Sequence, residues 1–145
     1  MPTVRDILDS KGSTVHSVGP AQTVLEATQR MNQHKIGAVV VVHEGHLLGI
    51  FTERDILTRV IGQGVDPSRT TVAEVMTNDP ITVTPDTDLD EIAALMQQKR
   101  IRHVPVCDNS GSLAGLISIG DVNAWHASSQ EATIHALSDY IHGRV

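Results

Sequence analysis

A chain of 145 residues, 40% of them apolar, has the size of an ordinary domain and can bury a core without help from a metal or a disulfide. Eleven Lys and Arg against 17 Asp and Glu leave a formal charge of −6, which repels nucleic acid and anionic membranes at long range, so any anionic ligand must be held by local basic groups. One Trp, one Tyr and one Phe are too few for the stacking platforms of single-stranded nucleic-acid binders; a flat base would have to lie between aliphatic side chains.

The opening "MPTVRDILDS" has no basic region followed by an apolar stretch, and no window approaches the roughly 18 apolar residues that a membrane span needs. A soluble, cytoplasmic protein is expected. "VRDIL" at 4–8 reads as an amphipathic helical turn ahead of an extended segment near Val15. Thr23 and Glu26 form a capping-box pattern that opens a helix with Val24, Ala27 and Met31 on one face. "IGAVVVV" and "LLGIF" follow as a hairpin joined at His43-Glu44-Gly45-His46, and "GIFTERDIL" at 49–57 runs from strand into helix. "GQGVDPSRTT" at 62–71 reads as a linker.

The pattern then returns. "VAEVM" at 72–76 echoes "VRDIL", and an extended segment at Ile81 precedes a second capping pattern, Asp88 with Glu91, and a helix with Leu89, Ile92, Ala93 and Met96 on its apolar face. "HVPVC", "DNSGS" and "LAGLI" repeat the hairpin, with Pro105 predicting a sheet edge or a bulge, and "GLISIGDVN" at 115–123 repeats the strand-to-helix corner. A last helical segment from about Ser129 to His142 carries Ile134, Leu137 and Ile141 on one stripe. The predicted organisation is a first repeat over 1–65, a second over 66–128 and a helical tail over 129–145.

The two corners carry the chemistry. Thr52-Glu53-Arg54-Asp55 and Ser118-Ile119-Gly120-Asp121 each place a hydroxyl three residues before an acid, which is a helix-capping pattern. The same geometry aims free N–H groups and a partial positive charge outward, which suits a phosphate, while an acid in the first turn can accept ribose hydroxyls. Spacing alone leaves both readings open.

"GIFTERD" and "GLISIGD", together with "KIGAVVV" and "RIRHVPV", resemble the signatures of the paired cystathionine β-synthase (CBS) domain, over about residues 3 to 126. The resemblance implies an α+β fold: a tandem CBS-domain repeat of two βαββα units about a pseudo-twofold axis, with an N-terminal helical turn and a C-terminal helix. It implies two clefts for adenosine-containing ligands, and dimerisation into a flat disc. It also makes Asp55 and Asp121 the ribose-binding positions, with Thr52 and Ser118 close to ribose or phosphate. By the family's arrangement Asp55 shares a cleft with Ile101, Arg102 and His103, lined by Thr82 and Val83. Asp121 shares the other with Ile36, Gly37 and Ala38, lined by Thr14 and Val15. Arg54, Arg102 and His103 against Gly120, Gly37 and Ala38 make the clefts unequal, so the Asp55 cleft is expected to prefer a polyphosphate or dinucleotide and the Asp121 cleft to be roomier and take a monophosphate.

Cys107, inside "HVPVC", reads as a small core residue, and the eight histidines show no metal-ligand spacing. No nucleophile elbow or phosphate-binding loop appears. The expected protein is therefore a non-catalytic sensor of adenine nucleotides (AMP foremost, with ADP, ATP or NAD), needing no metal and forming a homodimer. Its alternatives are a ligand-independent docking module regulating a partner enzyme or transporter, and an enzyme acting on nucleotides through His103 or Asp55.

Overall fold

The computed structural model describes residues 1–141. Its element order is α1 (Val4–Lys11), β1 (Ser17–Val18), α2 (Val24–His34), β2 (Ala38–His43), β3 (His46–Thr52), α3 (Glu53–Asp55), α4 (Val72–Val75), β4 (Thr77–Asn78), α5 (Leu89–Lys99), β5 (His103–Cys107), β6 (Leu113–Ser118) and α6 (Ile119–Ile141). The first sheet has the order β1-β2-β3-β4, with β1 parallel to β2 and the other pairs antiparallel; β5 and β6 form the second.

Local sequence accounts for the helix starts. Thr23 accepts from the Glu26 amide while Glu26 returns to the Thr23 amide, the reciprocal pairing its sequence predicts. Asp88 caps differently, by accepting from the Asp90 amide at 2.9 Å and not by a reciprocal pair with Glu91. The helices α2 and α5 end alike, on Lys35 and Arg100 in left-handed conformation at φ 54°, and the next amides, Ile36 and Ile101, bond back to Met31 and Met96.

Each repeat's opening helix packs on the other repeat. Val72 and Val75 from α4, with Met76 just after it, join Val18, Val24, Ala27, Met31, Val39, Val41 and Phe51 in one buried cluster. In the other, Val4, Ile7 and Leu8 from α1 join Leu89, Ile92, Met96, Val104, Val106 and Ile117. Paired capping boxes fix both exchanged helices, Thr3 with Asp6 and Thr71 with Glu74. The glycines that open the repeated corners are the seats: a Cβ on Gly49 would lie 2.6 Å from Met76 Sδ and from the Thr77 carbonyl oxygen, and one on Gly115 would lie 2.6 Å from Leu8 Cδ2.

Two departures from the repeat stand out. In the first half the Val40 amide donates to the His16 carbonyl and extends the parallel pairing of β1. The matching residue in β5 is Pro105, which has no N–H, so the second half keeps only the parallel bridge between Val83 and Val106. Pro105 thus lies within β5 with a bulge at Val106/Cys107, and the missing donor ends the pairing at Val83. The second departure follows the corners. After α3 the chain continues as a π-helical turn, Ile56–Val60, and a 3-10 turn, Ile61–Gln63, whereas α6 runs unbroken from Ile119 to Ile141. The stripe of Ile134, Leu137 and Ile141 is therefore the far end of the helix that begins at Ser118, and it is exposed. His142 and the rest of the tail to residue 145 lie outside the described residues.

Candidate functional site

Both strand-to-helix corners are built the same way. Where β3 ends, the Glu53 amide donates to the Gly37 carbonyl at 3.0 Å, and where β6 ends, the Ile119 amide donates to Arg102 at 2.8 Å. Each corner is thereby tied to the start of the neighbouring strand's hairpin. The acids then close the helix starts: Asp55 Oδ2 accepts from the Thr52 amide at 2.9 Å, and Asp121 Oδ2 from the Ser118 amide at 2.8 Å, with the Asp121 amide returned to Ser118 Oγ at 3.1 Å. The capping reading of the motif holds at both sites.

A cavity of about 800 Å³ opens at the first corner. Thr52, Arg54 and Asp55 line it together with Ile101, Arg102 and His103 from across the pseudo-twofold axis. Arg59, Lys99 and Arg100 line it as well, so that its basic side chains outnumber the acids Glu53, Asp55 and Asp79. Sequence reasoning missed Arg59, Lys99 and Arg100, although the one-turn spacing of Arg59 from Asp55 was a signal. Arg59 stands 3.6 Å from Asp55 Oδ1 and donates to the Val75 and Met76 carbonyls at 3.0 Å, and Arg54 donates to the Arg100 carbonyl at 2.8 Å.

Three expectations are corrected here. Thr82 and Val83 do not line this cavity; Asp79, Pro80 and Ile81 do, the residues that match Thr14, Val15 and His16 when Val83 is set over Val18. Val83 turns instead toward the second core. Gly120 lines the Asp55 cavity and not the Asp121 one, since the first turn of α6 faces across the axis. And the Asp121 cavity is the smaller of the two, about 270 Å³.

Thr14, Val15, Ile36, Gly37, Ala38, Ser118 and Asp121 line that second cavity, joined by Lys11, His16 and Lys35, which sequence reasoning did not place there. The repeat offered a clue for Lys35, which occupies the position of Arg100. Lys11 Nζ lies 2.7 Å from Asp121 Oδ2 and donates to the Leu116 carbonyl at the same distance. Gly37, His103 and Ser118 line both cavities and form the wall between them. His16 stacks on His34 with ring centroids 3.9 Å apart.

The two acids differ in their electrostatics. Asp55 is buried, with 6% of its surface exposed, and burial raises its carboxyl above the ordinary range despite the Thr52 bonds and Arg59. At Asp121 burial pushes the same way, but the Lys11 ammonium and the Ser118 bonds outweigh it and hold the carboxyl low. Burial also lowers His103, against the opposing pull of Glu53 and Asp121. Among the described residues no group of three or more His, Cys, Asp and Glu could hold a metal ion, and no helix is long and apolar enough to cross a membrane.

Two swapped repeats, with an acid closing each strand-to-helix corner over a cleft, define a paired small α+β module. The CBS-domain family description matches residues 3–62 and 72–127, and the chain belongs to that family. It is 36% identical to the CBS domain-containing protein YhcV of Bacillus subtilis, over 100% of this chain and 99% of that one. Among solved structures, the CBS-domain containing protein ATU1752 from Agrobacterium tumefaciens superimposes with a TM-score of 0.82 at 44% identity, over 86% of this chain and 99% of that one. The CBS domain pair of MJ0100, solved in complex with 5′-methylthioadenosine and S-adenosyl-L-methionine, superimposes with a TM-score of 0.78 at 26% identity, over 89% of this chain and 98% of that one.

Proposed function

We propose that this chain is a non-catalytic sensor that binds an adenine nucleotide (AMP, ADP, ATP or NAD) and reports its presence through the relation between the two repeats. One observation carries the reading: a buried carboxylate, Asp55, stands at a helix start in a large cavity where Arg54, Arg59, Lys99, Arg100 and Arg102 outweigh the acids Glu53 and Asp79. In this reading the second Asp55 oxygen accepts ribose hydroxyls, Ile101 and Ile81 flank the base, and Arg54, Arg100 and Arg102 meet phosphates. The adenosine compounds bound by the MJ0100 pair support that ligand class.

The basic wall favours a polyphosphate or a dinucleotide over a bare nucleoside in the Asp55 cleft. Calorimetric titration with AMP, ADP, ATP and NAD, before and after Arg102→Ala, tests this: ATP or NAD affinity is expected to fall about tenfold, as loss of one charge-assisted bond implies. Affinity unchanged by the substitution would overturn the phosphate assignment, and no binding of any of the four would overturn the sensor reading.

Signalling requires that the ligand favour one arrangement of the repeats over another. The exposed residues Ile134, Leu137 and Ile141 give α6 an apolar stripe suited to a second copy of the chain, so the sensor acts as a homodimer. Light scattering with and without Leu137→Glu checks that assembly.

A further inference from the structure

Four residues after the corner acids the two repeats part: Asp55 is followed by Arg59 and Asp121 by Trp125. Trp125 packs on the second core. Arg59 instead lines the larger cavity, and its Nη1 donates at 3.0 Å to the Val75 and Met76 carbonyls at the end of α4, where a helix leaves acceptors open. Both N–H groups of that nitrogen are thereby committed. Because α4 belongs to the second repeat and covers the first core, the clamp crosses the boundary between the repeats and fixes the guanidinium without a ligand's help.

Held there, Arg59 Nε stops 3.6 Å from Asp55 Oδ1, beyond hydrogen-bonding length. Thr52 takes the other oxygen, with its amide 2.9 Å and its hydroxyl 3.3 Å from Oδ2. Asp55 thus has one oxygen committed to the helix start and one that lies beside a cation without being used up by it. Burial raises this carboxyl; the Thr52 amide and then the Arg59 charge oppose that most, and Arg54 acts in the same sense but less. Lys99, Arg100 and Arg102 face the same cavity, as do Glu53, Asp79 and His103, and all of them stay when Arg59 alone is replaced.

We propose that Arg59 is the positioning residue of the Asp55 cleft: clamped to the end of α4, it sets a cation beside Asp55 Oδ1 without bonding that oxygen, which is left free to accept ribose hydroxyls. The inference rests on the nucleotide reading of that cleft. Arg59 acts on the ligand through Asp55, so replacing it weakens even a ligand that carries no phosphate, and weakens it most where Asp55 is closest to taking up a proton.

Calorimetric titration of the full chain with adenosine between pH 5 and 8 tests this on the wild type, Arg59→Gln, Arg59→Lys and Asp55→Asn, the last marking which binding belongs to the Asp55 cleft. Arg59→Gln is expected to weaken that binding about tenfold at pH 6 and less at pH 8, so that affinity begins to fall at a higher pH than in the wild type. Arg59→Lys, which keeps the charge, should stay close to the wild-type profile. Without any ligand, the carboxyl carbon-13 signal of Asp55 should titrate at higher pH in Arg59→Gln. Either readout unmoved by Arg59→Gln, or Arg59→Lys behaving like Arg59→Gln, would overturn the inference and leave the nucleotide reading in place, since a merely structural loss acts alike at every pH. No adenosine binding by the wild type would overturn that reading and this inference with it.

Discussion

The imidazole of His103 stands against Gly37, so closely that a methyl group on Gly37 would lie 3.3 Å from His103 Cε1 and 2.9 Å from Glu53 Oε1. Both residues belong to the wall that the two clefts share. Gly37→Ala is therefore expected to push Glu53 and His103 aside, to destabilise the fold by about 1 kcal/mol, and to alter ligand affinity in both clefts. Urea unfolding and calorimetry on the variant check it; a change confined to one cleft would show that the wall does not join them.

The two capping acids are expected to respond oppositely to neutralisation. Burial raises the Asp55 carboxyl, so the native state favours its proton, and that advantage is lost as pH rises from about 4 through the raised value. At pH 7 Asp55→Asn thus leaves thermal stability equal or higher, because the amide oxygen can still accept from Thr52, while nucleotide binding is lost. Asp121 is held low, so its contribution is present above the ordinary carboxylate range and disappears as pH falls through the lowered value. Asp121→Asn should cost about 1 kcal/mol at pH 7, a modest figure for a partly solvated pair. Melting temperatures of both variants across pH 3 to 8 distinguish the two.

His103 supplies a third test. Burial lowers its pKa, with Arg102 and Lys11 acting in the same direction and Glu53 and Asp121 against it. The unfolded chain therefore takes up a proton first, and stability falls as pH drops below about 6.5, the ordinary histidine value. His103→Gln should flatten the stability profile between pH 5 and 7; a profile with its slope unchanged would assign that slope to His16, which burial also lowers.

Alanine at the two helix seats should not be equivalent. At Gly115 the obstacle is the end of the Leu8 side chain, which can rotate, whereas at Gly49 it includes the Thr77 backbone oxygen, which β4 pairing holds in place. We expect a loss of about 1 kcal/mol for Gly115→Ala and about 3 kcal/mol for Gly49→Ala. Denaturant midpoints at constant slope measure both.

Much of this was legible because the chain repeats itself. The doubled corners carried the resemblance to the CBS pair, and it was the family's arrangement that put Asp55 with Ile101, Arg102 and His103, and Asp121 with Ile36, Gly37 and Ala38. What escaped was whatever depends on packing between the copies. Nothing in "VRDIL" or "VAEVM" states which half an amphipathic turn will cover, so α1 and α4, and with them Lys11, could not be assigned to a cleft. The lining of the large cleft came out too late because the register of Val18 over Val83, which makes Asp79, Pro80 and Ile81 the matches of Thr14, Val15 and His16, was not carried back ahead of the strand. The π-helical turn behind Asp55 is likewise announced by no periodicity.

The crossing of α1 and α4 means that the chain has no point at which it can be halved. A cut within 62–71 would leave a front fragment without the helix that covers its own core and a back fragment in the same condition, each exposing the face the other should fill. Loss of the first eleven residues would strike the far half of the molecule and remove the lysine beside Asp121. The chain's beginning is thus a working part of its end, and anything attached ahead of Thr3 arrives beside Asp88, where α5 begins.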